Sequence, residues 1–412
     1  MKILLVGSGG REHALARGLN ASTVELHAAP GNPGIASFAM CHPVPVTDNS
    51  GLVTLAQSLN VDLVVIGPEV PLVNGVADEL RAINIPVFGP SQTAAQLEGS
   101  KDFAKKVMAE AGVATARSFT CTTQDEKEMA LDAFGAPYVV KDDGLAAGKG
   151  VVVTNDREIA LKHALSCTRV VIEEFLDGPE ISLFGICDGK TVLAMQPAQD
   201  FKRAYDNDEG PNTGGMGAYS PLAWAPENIV EEVRATVLQP MVDAMAKRGT
   251  PFVGLLYAGL AMTKNGIRVI EFNARFGDPE TQVLIPRLKT PLAELLLKAA
   301  TGNLAGVTLE WSTDAAVTIV LAANGYPASA KSGDEIKNYA DTNGVTVYHA
   351  GTKLVDGKLL SSGGRVLTVT GVGKNLTDAR NRAYEKISQI ELTGAFYRKD
   401  IALTASLSQG GK

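Results

Sequence analysis

Short apolar runs alternate with amphipathic stretches over the first hundred residues. Residues 2–6 are apolar and β-rich, a glycine turn follows, and 11–19 carry a helical pattern. A second buried-strand run lies at 62–66, a helix-like stretch at 75–83 and a third run at 85–88. Strands alternating with helices predict a parallel sheet with helices on its faces. Ligands of such sheets gather at the loops that follow the strands. Here those loops are "GSGGREH", "APGNPG", "GPEVPL" and "GPS".

The pattern changes near 98–101. Ser100 stands where an N-cap would for a helix over 101–111. Helices are predicted over 124–134 and 156–166, and strands at 138–140 and 151–153 flank the stretch "DDGLAAGKGV". A further strand ends at "VVIEEF", and strands at 181–186 and 192–196 surround a "CDGK" turn. Residues 200–220 are polar and glycine-rich, too long for a simple turn, and read as a functional or mobile loop. A helix near 226–248 leads to strands at 253–262 and 267–272 joined by "KNG". After a helix at 291–301 the last hundred residues read as a β-rich unit, with a "VDGK" hairpin turn and a final helix near 375–390. No internal repeat stands out.

With 412 residues the chain is too long for one core. Hydrophobic content of 45% and charged content of 20% suit an ordinary soluble protein. A net charge of −7 argues against nucleic acid or an anionic membrane as the main partner. The cysteines Cys41, Cys121, Cys167 and Cys187 lack metal-ligand spacing, and a disulfide framework is not expected at this length. His13 and His349 could act in a site, although a lone histidine is more often structural. The apolar run at 3–6 is too short for a signal peptide, and no stretch approaches the ~20 residues of a membrane span. A reduced cytoplasm is the expected compartment.

A glycine-rich stretch with a lysine raises the question of phosphate. The P-loop pattern G-x-x-x-x-G-K-[ST] fails here. Gly144 and Gly148 are separated by three residues, Lys149 is followed by Gly150 without a hydroxyl, and the stretch runs into a strand. It reads instead as a hairpin lid whose N–H groups and Lys149 could fold over phosphates, with Lys141 as a fixed cation beneath. A surface hairpin with an incidental lysine fits this stretch equally well. At the N-terminus, Gly7, Gly9 and Gly10 begin a dinucleotide fingerprint whose third glycine would fall at Glu12. The fingerprint is broken, which disfavours a nicotinamide-dependent oxidoreductase. The strand–turn–helix could still bind an anion, although a structural turn is the commoner use. In "VIEFN", strand alternation puts Val269, Glu271 and Asn273 on one face, so Glu271 and Asn273 offer two oxygen ligands for magnesium. A solvated carboxylate on an amphipathic strand is the ordinary alternative. "ARFGDPETQ" adds Arg275, Asp278 and Glu280. The acids of "EEFLDGPE" would repel phosphate and suit a sugar and base, or form an exposed acidic turn.

The segments "GSGGREHALA", "GPEVPL", "LEGSK", "KDDGLAAGKG", "VIEEFLDGPE", "GPNTGGMGAYSP" and "EFNARFGDPETQ" occur in this order. Together they resemble the phosphoribosylamine–glycine ligase (glycinamide ribonucleotide synthetase) family of ATP-grasp enzymes, from residue 2 to about 400. The resemblance implies an α/β and α+β multidomain fold: a doubly wound N-terminal α/β domain (1–100), an ATP-grasp core (101–312) with a small lid subdomain at about 118–180, and a β-rich C-terminal domain (313–412). It implies a ligase of purine biosynthesis that joins glycine to 5-phosphoribosylamine through glycyl phosphate, using ATP with Mg2+ or Mn2+. Another ATP-grasp carboxylate–amine ligase or carboxylase is the alternative. A non-catalytic nucleotide-binding regulator is disfavoured by the retained Glu271 and Asn273.

By the same resemblance, Lys101 and Lys141 meet the ATP phosphates, and Gly148 and Lys149 belong to the lid. Glu173, Glu174, Phe175 and Leu176 form the adenine hinge, Glu180 meets the ribose, and Glu271 and Asn273 hold the metal. Gly9, Gly10, Arg11, Asn32, Pro68, Glu69, Asn212, Thr213, Gly214, Gly215, Met216, Arg275 and Asp278 lie near the two substrates. Lys141, Arg275, Asn212, Thr213 and Gly214 are the catalytic candidates. Small-molecule partners, no nucleic acid, no membrane, and a monomer or weak homodimer are implied. Two positions depart from the family pattern: Asp142 replaces a small residue, and Phe201 stands where "DHKR" has its histidine.

Overall fold

The computed structural model describes residues 1–145 and 150–409, so Gly148 and Lys149 lie outside the described residues. The N-terminal sheet is five-stranded and parallel, in the order Met40–Cys41, Glu25–Pro30, Lys2–Gly7, Leu63–Ile66, Val87–Phe88. The two central strands are apolar through Ile3–Val6 and Leu63–Ile66 because both of their faces are covered. Ile3 and Leu5 pack with Leu15 and Leu19 on one side, while Leu4 and Val6 pack with Leu52, Leu72 and Leu80 on the other. The chain reverses its winding between Lys2–Gly7 and Leu63–Ile66, which brings the loops after Gly7 and Ile66 side by side at the carboxyl edge.

The helix Lys101–Ala111 forms as its cap predicts: the Ser100 hydroxyl accepts from Phe103 N at 3.1 Å, and Gly112 ends the helix at φ 67°. A small antiparallel sheet follows, in the order Ser118–Cys121, Val170–Glu173, Tyr138–Asp142, Val151–Thr154. Helices Gln124–Phe134 and Arg157–Ser166 bury Leu131, Ala160 and Ala164 against Val140 and Ile172 of its strands. The strands flanking the glycine-rich stretch pair antiparallel, from Tyr138 with Thr154 to Lys141 with Val151. A second antiparallel sheet runs Val192–Ala194, Glu180–Asp188, Val253–Thr263, Gly266–Asn273.

The third sheet corrects the reading of 200–220 as one irregular loop. Gln199–Asp200 and Gly217–Ser220 are strands that pair into a sheet with Ala315–Ala322, Arg365–Gly373 and Val345–His349. Between them Arg203–Tyr205 and Glu209–Asn212 form a hairpin. Gly210 and Gly215 supply the positive φ angles of 79° and 109° that the turns need, and Met216, Ala218 and Tyr219 are buried. The β-rich end of the chain is thus completed by strands from about a hundred residues earlier. Its helix Leu376–Ile387 starts at Asn375, whose side chain accepts from Asp378 N at 2.9 Å. A last helix, Leu403–Gln409, was not anticipated. Among the described residues no helix is long and apolar enough to cross a membrane, and all four cysteines are free.

Candidate active site

Lys141 lies one residue before the end of its strand and has a buried side chain. Its ammonium pairs with the Glu173 carboxylate and donates to Ile270 O at 3.0 Å, joining the small sheet to the second sheet. Glu173 also pairs with Lys105 at 2.7 Å. A carboxylate buried to 3% exposure needs such partners, because an unpaired charge there would cost several kcal/mol. The expectation that the acids of this stretch suit a sugar and base is therefore corrected for Glu173: its carboxylate faces inward and holds two lysines. Glu174 turns outward and accepts from Arg117 N at 3.0 Å and Arg117 Nε at 2.8 Å. Phe175 is exposed, and Glu180 pairs with Lys202 at 2.7 Å.

The strand Gly266–Asn273 contains a β-bulge. Gly259 pairs with Glu271 and Leu260 with Val269, which leaves Ile270 as the extra residue. Simple alternation fails across it: Val269 joins Phe272 in the core rather than sharing a face with Glu271. Glu271 and Asn273 stay two residues apart on one side of the strand beyond the bulge. Burial opposes ionisation of Glu271, but the charges of Lys202, Lys141, Lys101 and Arg275 outweigh it and hold its carboxyl below the usual range. Burial depresses the Lys101 ammonium, with Glu271 pulling it upward again. Lys101 Nζ donates to Gly144 O at 3.1 Å. An ionised carboxylate beside a carboxamide oxygen suits a hard divalent cation. Among the described residues no three His, Cys, Asp or Glu side chains gather as a complete metal cage. One carboxylate and one amide would leave positions for phosphate and water.

Beside this pair sits Arg275. It pairs with Glu98 at 2.9 Å and faces Glu69 at 3.5 Å, and Nη2 donates to Asn273 Oδ1 at 3.3 Å. Burial opposes its charge, but Glu98 and Glu69 drive its pKa upward. Its Nε is buried without a hydrogen-bond partner among the described residues. Glu98 also accepts from Ala274 N at 2.7 Å. Asp200, nearby in charge terms, is pushed up to about 7 by burial, against the pull of Lys202.

The N-terminal turn carries a different message. Glu12 accepts from Gly9 N at 2.6 Å and from Arg11 Nε at 2.5 Å. Its side chain fills the space above Gly7 and Gly67, where a Cβ would collide with it. The Gly9 N–H of this turn is therefore engaged by the chain's own carboxylate. Gly10 packs against Gln282 and Thr368, and a Cβ there would lie 2.8 Å from Gln282 Nε2. Asn32 donates to Ser8 O at 2.8 Å and His349 O at 2.9 Å and accepts from Ile35 N at 2.9 Å. Arg11 Nη1 donates to Phe276 O at 3.1 Å. Gly9, Gly10, Arg11 and Asn32 thus sit at the junction of the three units with these polar groups engaged by protein. Pro68 and Glu69 open the short helix Glu69–Val73 facing Arg275.

The 212–216 loop is pinned from both sides. Thr213 N and Oγ1 both donate to Lys202 O at 2.8 Å, Gly215 N donates to Thr213 Oγ1 at 3.0 Å, and Met216 is buried. Arg365 Nη1 donates to Gly214 O at 2.6 Å and Asp278 O at 2.7 Å, and Nη2 reaches Asp278 Oδ2 at 3.1 Å. Tyr326 Oη accepts from Gly214 N at 3.1 Å. Arg365 and Tyr326 were missed in the sequence. The only local signal was the glycine pair Gly363 and Gly364, the second of which makes room for the Tyr326 ring.

Both unusual positions have a physical account. Asp142 lies toward the Cys167 thiol, which its charge helps to push up after burial has done so, and its N–H donates to Gly150 O at 2.8 Å. It closes the hairpin on the face opposite Lys141. Phe201 packs 6.2 Å from the Tyr219 ring and carries the Arg398 guanidinium 5.0 Å above its own. His13 and His349 are buried side by side: His13 Nδ1 accepts from His349 N at 2.8 Å, and burial lowers both, His349 to about 4.

Three family models match in sequence: phosphoribosylglycinamide synthetase N domain over 1–98, its ATP-grasp (A) domain over 99–281, and its C domain over 316–404. The chain is 60% identical to a Streptomyces coelicolor phosphoribosylamine–glycine ligase, covering 98% of this chain and 100% of the relative. It is 55% identical to the Corynebacterium ammoniagenes protein of that name, covering 98% of each. Among solved structures, the Thermotoga maritima phosphoribosylamine–glycine ligase has a TM-score of 0.85 at 32% identity, covering 98% of this chain and 100% of that one. The biotin carboxylase domain of Hydrogenobacter thermophilus 2-oxoglutarate carboxylase has a TM-score of 0.73 at 17% identity, covering 96% and 91%; that likeness is one of fold.

Proposed function

We infer the chemistry of this site from one premise: the chain belongs to the phosphoribosylglycinamide synthetase family and is a ligase of purine biosynthesis. It joins glycine to 5-phosphoribosylamine, giving glycinamide ribonucleotide, ADP and phosphate. The observation that supports this reading most is the convergence of Lys101 and Lys141, from two different elements, on the ionised Glu271. Cations gathered around oxygen ligands are what a triphosphate requires.

In the proposed reaction a glycine carboxylate oxygen attacks the γ-phosphorus of ATP. The bond to the bridging oxygen breaks, ADP leaves, and glycyl phosphate forms. The amine of 5-phosphoribosylamine then attacks the glycyl carbonyl carbon. Phosphate leaves with the C–O bonding pair, and the nitrogen loses a proton. Lys101 and Lys141 neutralise the phosphate charge that shifts in the first step. Glu271 and Asn273 would hold Mg2+ or Mn2+, which supplies further neutralisation of the phosphates when bound. Arg275 is held by Glu98 and Glu69, which place its guanidinium beside Asn273, where it would meet the glycine carboxylate. Glu69 and Asp278 are the carboxylates suited to the ammonium of glycine and to the substrate amine. The 212–216 loop closes the same space and excludes water, which would hydrolyse the acyl phosphate. Gly148 and Lys149 remain proposed lid residues, and the main chain of 173–176 with Glu180 is the proposed nucleoside side. We assign 1–100 to 5-phosphoribosylamine binding, 101–312 to ATP and 313–412 to completing the substrate site, in a cytoplasmic monomer or weak homodimer.

The test is a phosphate-release assay with glycine, 5-phosphoribosylamine generated in situ and Mg-ATP, each omitted in turn. Sustained release is expected only with all three. Sustained release that is independent of glycine, or that follows its replacement by bicarbonate, contradicts the reading.

A further inference from the structure

Lys101 and Lys141 belong to different units, and something must hold them in register. The carboxylate of Asp143, whose side chain is fully buried, is the group that spans the gap. Its Oδ1 accepts from Lys101 N at 2.6 Å, Asp102 N at 3.2 Å and Ser100 Oγ at 3.2 Å. Its Oδ2 pairs with Arg169 Nε at 2.5 Å. Asp143 N also donates to Arg169 O at 3.1 Å.

Two consequences follow. The first turn of a helix has N–H groups without intrahelical partners. Here Asp143 takes those of Lys101 and Asp102, and Ser100 takes that of Phe103. The end of this helix is therefore satisfied by protein, and its dipole already faces an anion. From this helix, phosphate recognition falls to the Lys101 ammonium rather than to main-chain N–H groups. Secondly, Lys101 is fastened at both ends to the same short stretch: its main-chain nitrogen to Asp143, its Nζ to Gly144 O at 3.1 Å. Lys141 lies two residues earlier and is itself locked by Glu173 and Ile270 O. Arg169, about half exposed, offsets the charge that Asp143 would otherwise set beside a triphosphate. It immediately precedes the strand Val170–Glu173 that carries the partner of Lys141.

We propose that Asp143 is a positioning residue for the nucleotide: by bonding the start of the helix Lys101–Ala111 to the base of the hairpin, it fixes the Lys101 ammonium relative to that of Lys141 and so sets the affinity for ATP. This rests on the assignment of both lysines to the triphosphate. It is an action through Lys101, without contact to substrate. A residue that merely stabilised the fold would affect both substrates alike.

The test uses the full-length enzyme, with ATP and glycine varied separately, for Asp143→Ala, Asp143→Asn and Lys141→Met. Loss of hydrogen bonds to a charged group predicts that Asp143→Ala raises KM for ATP about tenfold or more, with KM for glycine changed less than about twofold. In Asp143→Asn an amide oxygen still accepts from Lys101 N, so the rise should be smaller, about threefold. An ATP KM at the wild-type value in either variant overturns the proposal, as does an equal rise in both KM values. If Asp143→Ala does not fold, Asp143→Asn decides by the same two constants. An unchanged ATP KM in Lys141→Met would instead reject the assignment of the lysines.

Discussion

Glu271→Ala is expected to lower kcat by on the order of a thousandfold or more, because it removes the charged oxygen ligand of the pair proposed to hold the divalent cation. The fold should survive. The strand ladder is made by main chain, the residue opposite is Gly259, and Val269 and Phe272 keep the core. The lysines around Glu271 are not orphaned by its loss: Lys141 retains Glu173, Lys202 retains Glu180, and Lys101 retains Gly144 O. The check is turnover across a magnesium titration together with a thermal melt. A cooperative melt near that of the wild type with collapsed turnover is expected. Near-normal rates at limiting magnesium would contradict the metal assignment.

Lys141→Met is expected to weaken ATP binding by about 1.5–3 kcal/mol, the worth of a charge-assisted contact, or roughly 10- to 150-fold in affinity. The methionine keeps the apolar stem while removing the ammonium. Glu173 would not be left as an isolated buried charge, since Lys105 stays paired with it at 2.7 Å. This is why the effect should fall on the nucleotide rather than on folding. Calorimetric titration with a non-hydrolysable ATP analogue reads the loss directly. Unaltered affinity and turnover would remove Lys141 from the phosphate site.

What could be read in the sequence was local. Ser100 marks its helix because its hydroxyl caps the amide of Phe103 only three residues on, a contact that needs no distant partner. The strands on either side of the glycine-rich stretch are neighbours in sequence and pair antiparallel. The continuous apolar runs at 3–6 and 63–66 announce a sheet covered on both faces. What could not be read was decided by distant partners. Alternation puts Val269 with Glu271, and only the register against Gly259 and Leu260 inserts the bulge that separates them. Residues 199–220 look irregular until strands from 315–373 accept two of their segments. Glu173 reads as part of an acidic turn, but its direction is set by Lys105 and Lys141. Glu12 only breaks a motif in the sequence, whereas in the fold it accepts from Gly9 N and packs against Gly7 and Gly67. Arg365, in a stretch with no charged neighbour nearby, reaches a loop 151 residues earlier.

The same division explains why the chemistry was easier to anticipate than its wiring. Lysines, a carboxylate–carboxamide pair and glycine-rich loops are residue types that a triphosphate needs. The groups that orient them are the ordinary acids and bases Glu98, Asp143, Arg169 and Arg365, which look like surface charge until their partners are known.

The central claim is that Lys101, Lys141, Glu271 and Asn273 together grip one metal-bound triphosphate. A crystal structure of the full chain with Mg2+ and a non-hydrolysable ATP analogue tests it most directly. The account predicts a cation bound by the Glu271 carboxylate and the Asn273 amide oxygen, with phosphate oxygens within hydrogen-bond reach of both lysine ammoniums. A triphosphate bound elsewhere, with no cation at that pair, would contradict it.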